Sequence, residues 1–157
     1  MKTENKDIRI YIDMDNVLCD YKKAHDAAME RQPEMPYPQS QYGFFRDLEP
    51  INSALYMFKI LSNNFDVWIL TAPSVQNPMC YSEKREWVGK YLGFEAAKRL
   101  ILSPDKSLLI GDYLIDDIEA GRAKQDQFKG TQIVFGNDKY PDWFKVMDYF
   151  EQYFKIK

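Results

Sequence analysis

The sequence predicts an α/β fold built on a doubly wound parallel sheet. Three observations carry this: apolar β-branched runs of strand length, amphipathic stretches of helical length between them, and acidic or hydroxyl residues closing the runs. With 157 residues, 45% of them hydrophobic and 29% charged, the chain supports one full core, so a single domain over 1–157 is expected.

The first run, Ile8 to Met14, reads as a central strand, and 18–31 carry helix formers that stop at Pro33, Pro36 and Pro38. An aromatic stretch, "QYGFFRDLEP", follows at 41–50. Leu55, Phe58 and Leu61 recur with helical spacing in a helix from Ile51 to Asn63, and "DVWILT" at 66–71 is a second buried strand. The next helix has Ser82 as its cap and Gly93 as its stop, and "RLILS" at 99–103 is a third strand. Ser103 before Pro104 is a helix-start signature, so a short helix is read from Pro104 to Ile110, with the fourth strand at 112–116. A fifth strand spans 131–135, and a final helix from Pro141 carries an apolar stripe at Phe144, Met147 and Phe150.

In such sheets ligands collect at the carboxyl ends of the strands. Asp13, Asp15, Thr71, Asp116 and Asp117 all fall at predicted carboxyl ends and should converge on one edge. Carboxylates gathered without histidine or thiol ligands call for a hard, oxygen-loving cation, and magnesium fits best. Thr71 offers a hydroxyl, and Lys106 or Lys84 an ammonium, to non-bridging phosphate oxygens. The ensemble reads as a phosphoryl-transfer site.

"DMDNV" at 13–17, "ILTAP" at 69–73 and "DKSLLIGDYLIDD" at 105–117 resemble the haloacid dehalogenase superfamily of phosphatases, and within it the 5'(3')-deoxyribonucleotidase branch. The resemblance implies a Rossmann-like core with a small helical cap, here a short insertion at about 18–48. It implies Asp13 as nucleophile, forming an aspartyl phosphate, and Asp15 as the acid and base. Thr71, Lys106 and Lys84 are then phosphate-side groups. Asp13, the Asp15 backbone carbonyl and Asp116 are the metal ligands, supported by Asp117. Asp112 competes with Asp116 for the metal through a looser GDxxxD pattern, but the Ser103–Pro104 signature and the LIDD likeness favour Asp116. Asn16 stands where the family has glycine, Ala72 where serine is common, and Val75 where a lysine is usual. Tyr21, Tyr37, Tyr42, Phe44 and Phe45 fall in the insertion, where one or two could stack on a base.

The expected substrate is a small phosphomonoester, foremost a (deoxy)nucleoside monophosphate. A formal charge of −3 favours neither a nucleic acid duplex nor a membrane surface, and no apolar run reaches a membrane span. The polar start "MKTENKDIRI" does not read as a secretory leader, so a cytoplasmic location is expected. Cys19 and Cys80 match no disulfide or metal pattern, and one histidine, His25, excludes a histidine cluster and argues against a serine-histidine-acid triad. A homodimer is compatible with the sequence, which does not fix the oligomeric state. Three alternatives stand beside the nucleotidase: a phosphatase for another monoester, a non-catalytic nucleotide-binding module, and a phospho-accepting receiver domain. A receiver carries its acidic pair on the first strand and its phosphorylated aspartate on a middle one, the reverse of the order here.

Overall fold

The structure is a computed structural model and describes residues 5–157; residues 1–4, part of the polar start read above, lie outside the described residues. Five parallel strands form one sheet: β1 (Arg9–Ile12), β2 (Asp66–Thr71), β3 (Leu100–Leu102), β4 (Tyr113–Asp116) and β5 (Thr131–Val134). Their order is β3-β2-β1-β4-β5. β1 is central, as its continuous apolar run implies. The chain adds β2 and β3 on one side of β1 and then crosses to add β4 and β5 on the other. That reversal opens the crevice where such sheets bind ligands, at the carboxyl ends of β1, β2 and β4.

The helices are α1 (Tyr21–Arg31), α2 (Ala54–Asn64), α3 (Cys80–Tyr91), α4 (Gly93–Ala97) and α5 (Trp143–Tyr153). Phe58 and Leu61 of α2, Trp87 and Val88 of α3 and Phe150 of α5 pack in one core with Ile10, Ile12, Val67, Ile69, Ile115 and Ile133. A smaller cluster, Tyr11, Leu70, Leu114 and Phe128, lies apart from it, with Trp68, Ile101 and Leu109 against it. Its cover comes from the β3–β4 and β4–β5 connections, each with a single 3₁₀ turn, Lys106–Leu108 and Gln125–Gln127.

The helix expected over 104–110 is therefore only a turn. The cap signature at Ser103 is satisfied locally: its hydroxyl donates to the Asp105 carbonyl (2.8 Å) and accepts from the Asp105 N–H (3.2 Å). Asp105 is the residue that caps the turn, through the Ser107 N–H (3.0 Å). The Lys106 N–H then bonds to Ala123 O (2.8 Å), drawing the chain inward before a second helical turn can form. Two helix readings also shift. α3 starts at Cys80, so Ser82 is not its cap. The buried stripe of α5 is Trp143, Val146, Met147 and Phe150, while Phe144 is 55% exposed. Among the described residues no helix is long and apolar enough to cross a membrane.

Candidate active site

The β1–β4 ladder extends one residue beyond β1, where the Asp13 N–H bonds to Ile115 O (2.9 Å). The backbone then folds back on itself: Met14 O accepts from the N–H groups of Val17, Leu18 and Cys19. This turn needs a left-handed residue, and Asn16 supplies it with φ 61°. Asparagine tolerates that region better than most side chains, which accounts for its place where the family has glycine. Its side chain is also engaged, donating to Asp117 Oδ2 (3.1 Å) and accepting from the Lys22 N–H (2.8 Å).

Asp13 and Asp15 each hold a different buried lysine. Lys106 Nζ lies 2.9 Å from Asp13 Oδ1 and 2.5 Å from Asp116 Oδ2. Lys84 Nζ donates to Asp15 Oδ2 (2.9 Å), Thr71 Oγ1 (2.6 Å) and the Ala72 carbonyl (3.1 Å), which uses all three of its hydrogens. Burial alone would lower both ammonium groups. The facing carboxylates outweigh it, Asp15 and Asp13 for Lys84, Asp13 and Asp116 for Lys106, so both are raised and stay charged. Thr71 and Lys84 are both fully buried and neither is part of the cavity wall, whereas Asp13, Asp15 and Lys106 are.

Asp116 is fully buried, its Oδ2 on Lys106 and its Oδ1 on the Ile118 N–H (3.0 Å). Asp117 faces the cavity. Asp112, the rival for the metal, sits at the opposite edge of the sheet, where its carboxylate takes the Arg9 N–H (2.8 Å). One ligand oxygen from each of Asp13, Asp116 and Asp117 falls within 4.8 Å of the others. Burial and then the Asp13 charge push Asp116 up to about 6 and Asp117 up to about 7. A compact all-oxygen set of three carboxylates paired with a single ammonium, Lys106, fits a hard divalent cation.

The cavity holds about 490 Å³. Tyr21, Tyr37 and Phe45 from the segment between β1 and α2 form one wall, and Ser74, Val75 and Arg122 stand on the other sides. Tyr42 is 72% exposed with Arg46 over its ring, and Phe44 packs edge-on against Tyr21 and Phe45. The aromatic segment is pinned by Glu83, a residue the sequence reading passed over. Its buried carboxylate accepts the N–H groups of Gly43 (2.6 Å) and Phe45 (3.0 Å). The signal was present, since Cys80, Glu83, Lys84, Trp87 and Val88 follow the i, i+3, i+4, i+7, i+8 spacing of a buried stripe. Arg122 was also missed; a lone arginine in a polar loop has no pattern to mark it. Cys19 and Cys80 are free and buried. Burial pushes the Cys19 thiol well above its usual value, the neighbouring Asp15 adding to it, so it is held as an unreactive thiol.

A parallel sheet with acidic strand ends and two buried lysines at its switch point is the frame of the haloacid dehalogenase-like hydrolases. The family model described as "5' nucleotidase, deoxy (Pyrimidine), cytosolic type C protein" matches residues 35–146. A protein of Vibrio phage KVP40, provisionally named a 5'(3')-deoxyribonucleotidase, is 42% identical over 143 residues, covering 89% of this chain and 82% of the relative. The human cytosolic-type 5'(3')-deoxyribonucleotidase is 30% identical over 161 residues, covering 83% of this chain and 80% of the relative. The chain belongs to the 5'(3')-deoxyribonucleotidase family of the haloacid dehalogenase superfamily.

Proposed function

We propose that the protein is a cytoplasmic, magnesium-dependent phosphomonoester hydrolase that dephosphorylates (deoxy)nucleoside monophosphates through an aspartyl phosphate on Asp13. The observation that carries this is the pair Asp13 and Asp15, both on the cavity wall and each fixed by its own buried lysine. Lys106 holds Asp13 Oδ1, so Oδ2 is left to attack phosphorus. As the Asp13–phosphorus bond forms and the ester P–O bond breaks, Asp15 gives its proton to the leaving oxygen. In the second step Asp15 takes a proton from water, the hydroxide attacks phosphorus, and phosphate leaves with Asp13 regenerated.

Asp13, Asp117 and the Asp15 backbone carbonyl would hold magnesium, whose charge offsets the repulsion between these carboxylates and a phosphate dianion. Asp117 takes the ligand role first expected of Asp116, because Asp117 lines the cavity while Asp116 is fully buried. Lys84 and Thr71 act through Asp15, holding its position. Residues 18–48 serve as a cap within the single domain, and Tyr21, Tyr37 and Phe45 suit a nucleoside base.

Phosphate release from a panel of nucleotides and simpler monoesters, with and without magnesium, tests the reading. The wild type should prefer deoxynucleoside monophosphates, and Asp13→Asn should fold and be inactive. No release from any ester, or an active Asp13→Asn protein, overturns the mechanism. A ranking led by another monoester overturns the substrate assignment alone.

A further inference from the structure

A phosphate dianion entering this cavity meets an excess of like charge. Four carboxylates, Asp13, Asp15, Asp116 and Asp117, face two ammonium groups. Neither lysine is free to serve the substrate fully. Lys84 has all three hydrogens engaged by the protein, and Lys106 already bonds two carboxylates. Among the described residues one further cation lines the cavity, Arg122, and it forms no salt bridge with any carboxylate. Its guanidinium makes one protein hydrogen bond, from Nη2 to Pro73 O at 3.1 Å. Among the described residues the other N–H groups of the fork have no protein partner.

The backbone ties this arginine to the loop that leaves β2 and to Lys106. Pro73 is two residues past Thr71, on the loop that leaves β2. Ala123, next to Arg122, accepts the Lys106 N–H through its carbonyl (2.8 Å), so the Arg122 loop and Lys106 are tied together. The guanidinium thus reaches from the loop after β4 to the loop after β2, on a cavity that Lys106 also lines. A planar fork with free N–H groups matches the oxygens of a phosphate monoester.

We propose that Arg122 is a substrate-binding residue that completes the phosphate grip, taking non-bridging oxygens that Lys106 and the metal leave uncovered. This rests on the phosphatase reading of the same site. The Pro73 bond pre-orients the fork, so little side-chain freedom is lost when substrate arrives.

The test compares wild type, Arg122→Gln, Arg122→Lys and, as a remote charge control, Lys145→Gln. Two readouts are needed: kcat/KM on a deoxynucleoside 5'-monophosphate and on p-nitrophenyl phosphate, and calorimetric affinity for inorganic phosphate with magnesium present. Arg122→Gln should lose about 10- to 100-fold in kcat/KM on both esters and weaken phosphate binding by a similar factor. Arg122→Lys should recover part of each, and Lys145→Gln should match wild type. A loss confined to the nucleotide, with phosphate affinity intact, overturns the proposal and makes Arg122 a nucleoside contact. Unchanged values in both readouts also overturn it, leaving a loop tie. If the wild type cleaves neither ester, the phosphatase reading fails, yet phosphate affinity that drops in Arg122→Gln still supports the role of Arg122. A wild type that binds no phosphate overturns both.

Discussion

Replacing Glu83 by glutamine should loosen the aromatic wall of the cavity without touching the carboxylates that line it. The wild-type carboxylate is 1% exposed and accepts two backbone N–H groups, those of Gly43 and Phe45. Hydrogen bonds to a charged acceptor contribute about 1.5–3 kcal/mol each. Glutamine keeps one acceptor oxygen and turns an NH₂ toward the other backbone donor, so one bond is lost and two donors oppose each other. The exchange also removes the cost of burying an ion, which offsets part of the loss and brings the net to about 2 kcal/mol. For a domain of this length that corresponds to about 4–8 °C in melting temperature. Urea midpoints and amide exchange read the effect together. Protection should fall at Gly43 and Phe45, and kcat/KM should drop more for a nucleotide than for p-nitrophenyl phosphate, because Phe45 leaves the wall. A midpoint within about 0.5 kcal/mol of wild type, with both amides as protected as before, would refute the role given to Glu83.

Other outcomes follow from the same geometry. Lys84→Met strips Asp15, Thr71 and the Ala72 carbonyl of their shared donor; the Asp15 side chain keeps 26% exposure, so water replaces part of the loss and the cost is about 2–3 kcal/mol in chemical denaturation, with turnover abolished. Magnesium at a hundredfold excess over its Kd should stabilise the wild type by about 2.7 kcal/mol, and Asp117→Asn should lose most of that gain; equal stabilisation of both would remove Asp117 from the ligand set. Asp116 and Asp117 rise from 3.8 to about 6 and about 7 in the fold, so the native state holds protons that the unfolded chain releases above about pH 4. Their contribution therefore makes the metal-free protein lose stability as pH climbs from about 4 to about 7, with no further loss above. Denaturant midpoints across that range should decline less steeply in Asp117→Asn, and a wild-type midpoint that climbs instead would contradict the burial of these acids.

The frame was legible because strand ends follow simple rules. The span 66–71 appears as read, and Asp13, Asp15 and Asp116 lie at or just beyond strand carboxyl ends because the apolar runs stop there. The short connections were less so. Nothing in "SPDKSLLIG" states that Lys106 must turn inward to reach Asp13 and Asp116, and that tertiary pull replaces a helix by one 3₁₀ turn. In α5 Met147 and Phe150 are buried as read and only the first member of the stripe moves by one residue, since Trp143 and Phe144 are both large and aromatic, and only Trp143 finds an acceptor inside, its indole N–H donating to Val17 O at 2.8 Å. Asn16 illustrates the reverse case: this departure from the family pattern is a side chain that tolerates the turn and adds a bond to Asp117.

The hardest residues to read were Glu83 and Lys84, because a charged stretch suggests a solvated face while the helical period places both on the buried one. They are neighbours of opposite charge, yet they do not pair with each other. Glu83 binds the backbone of the segment that carries Phe45, and Lys84 binds Asp15. Burying either charge would be costly alone, and each is offset by hydrogen bonds to a different part of the cavity. One turn of α3 therefore fixes the distance between the aromatic wall and the residue assigned the proton transfer. A change that shifts this turn as a whole, even one far from the substrate, should move both together, so α3 variants that displace its backbone should lose base discrimination and turnover at once, unlike the single exchange Glu83→Gln.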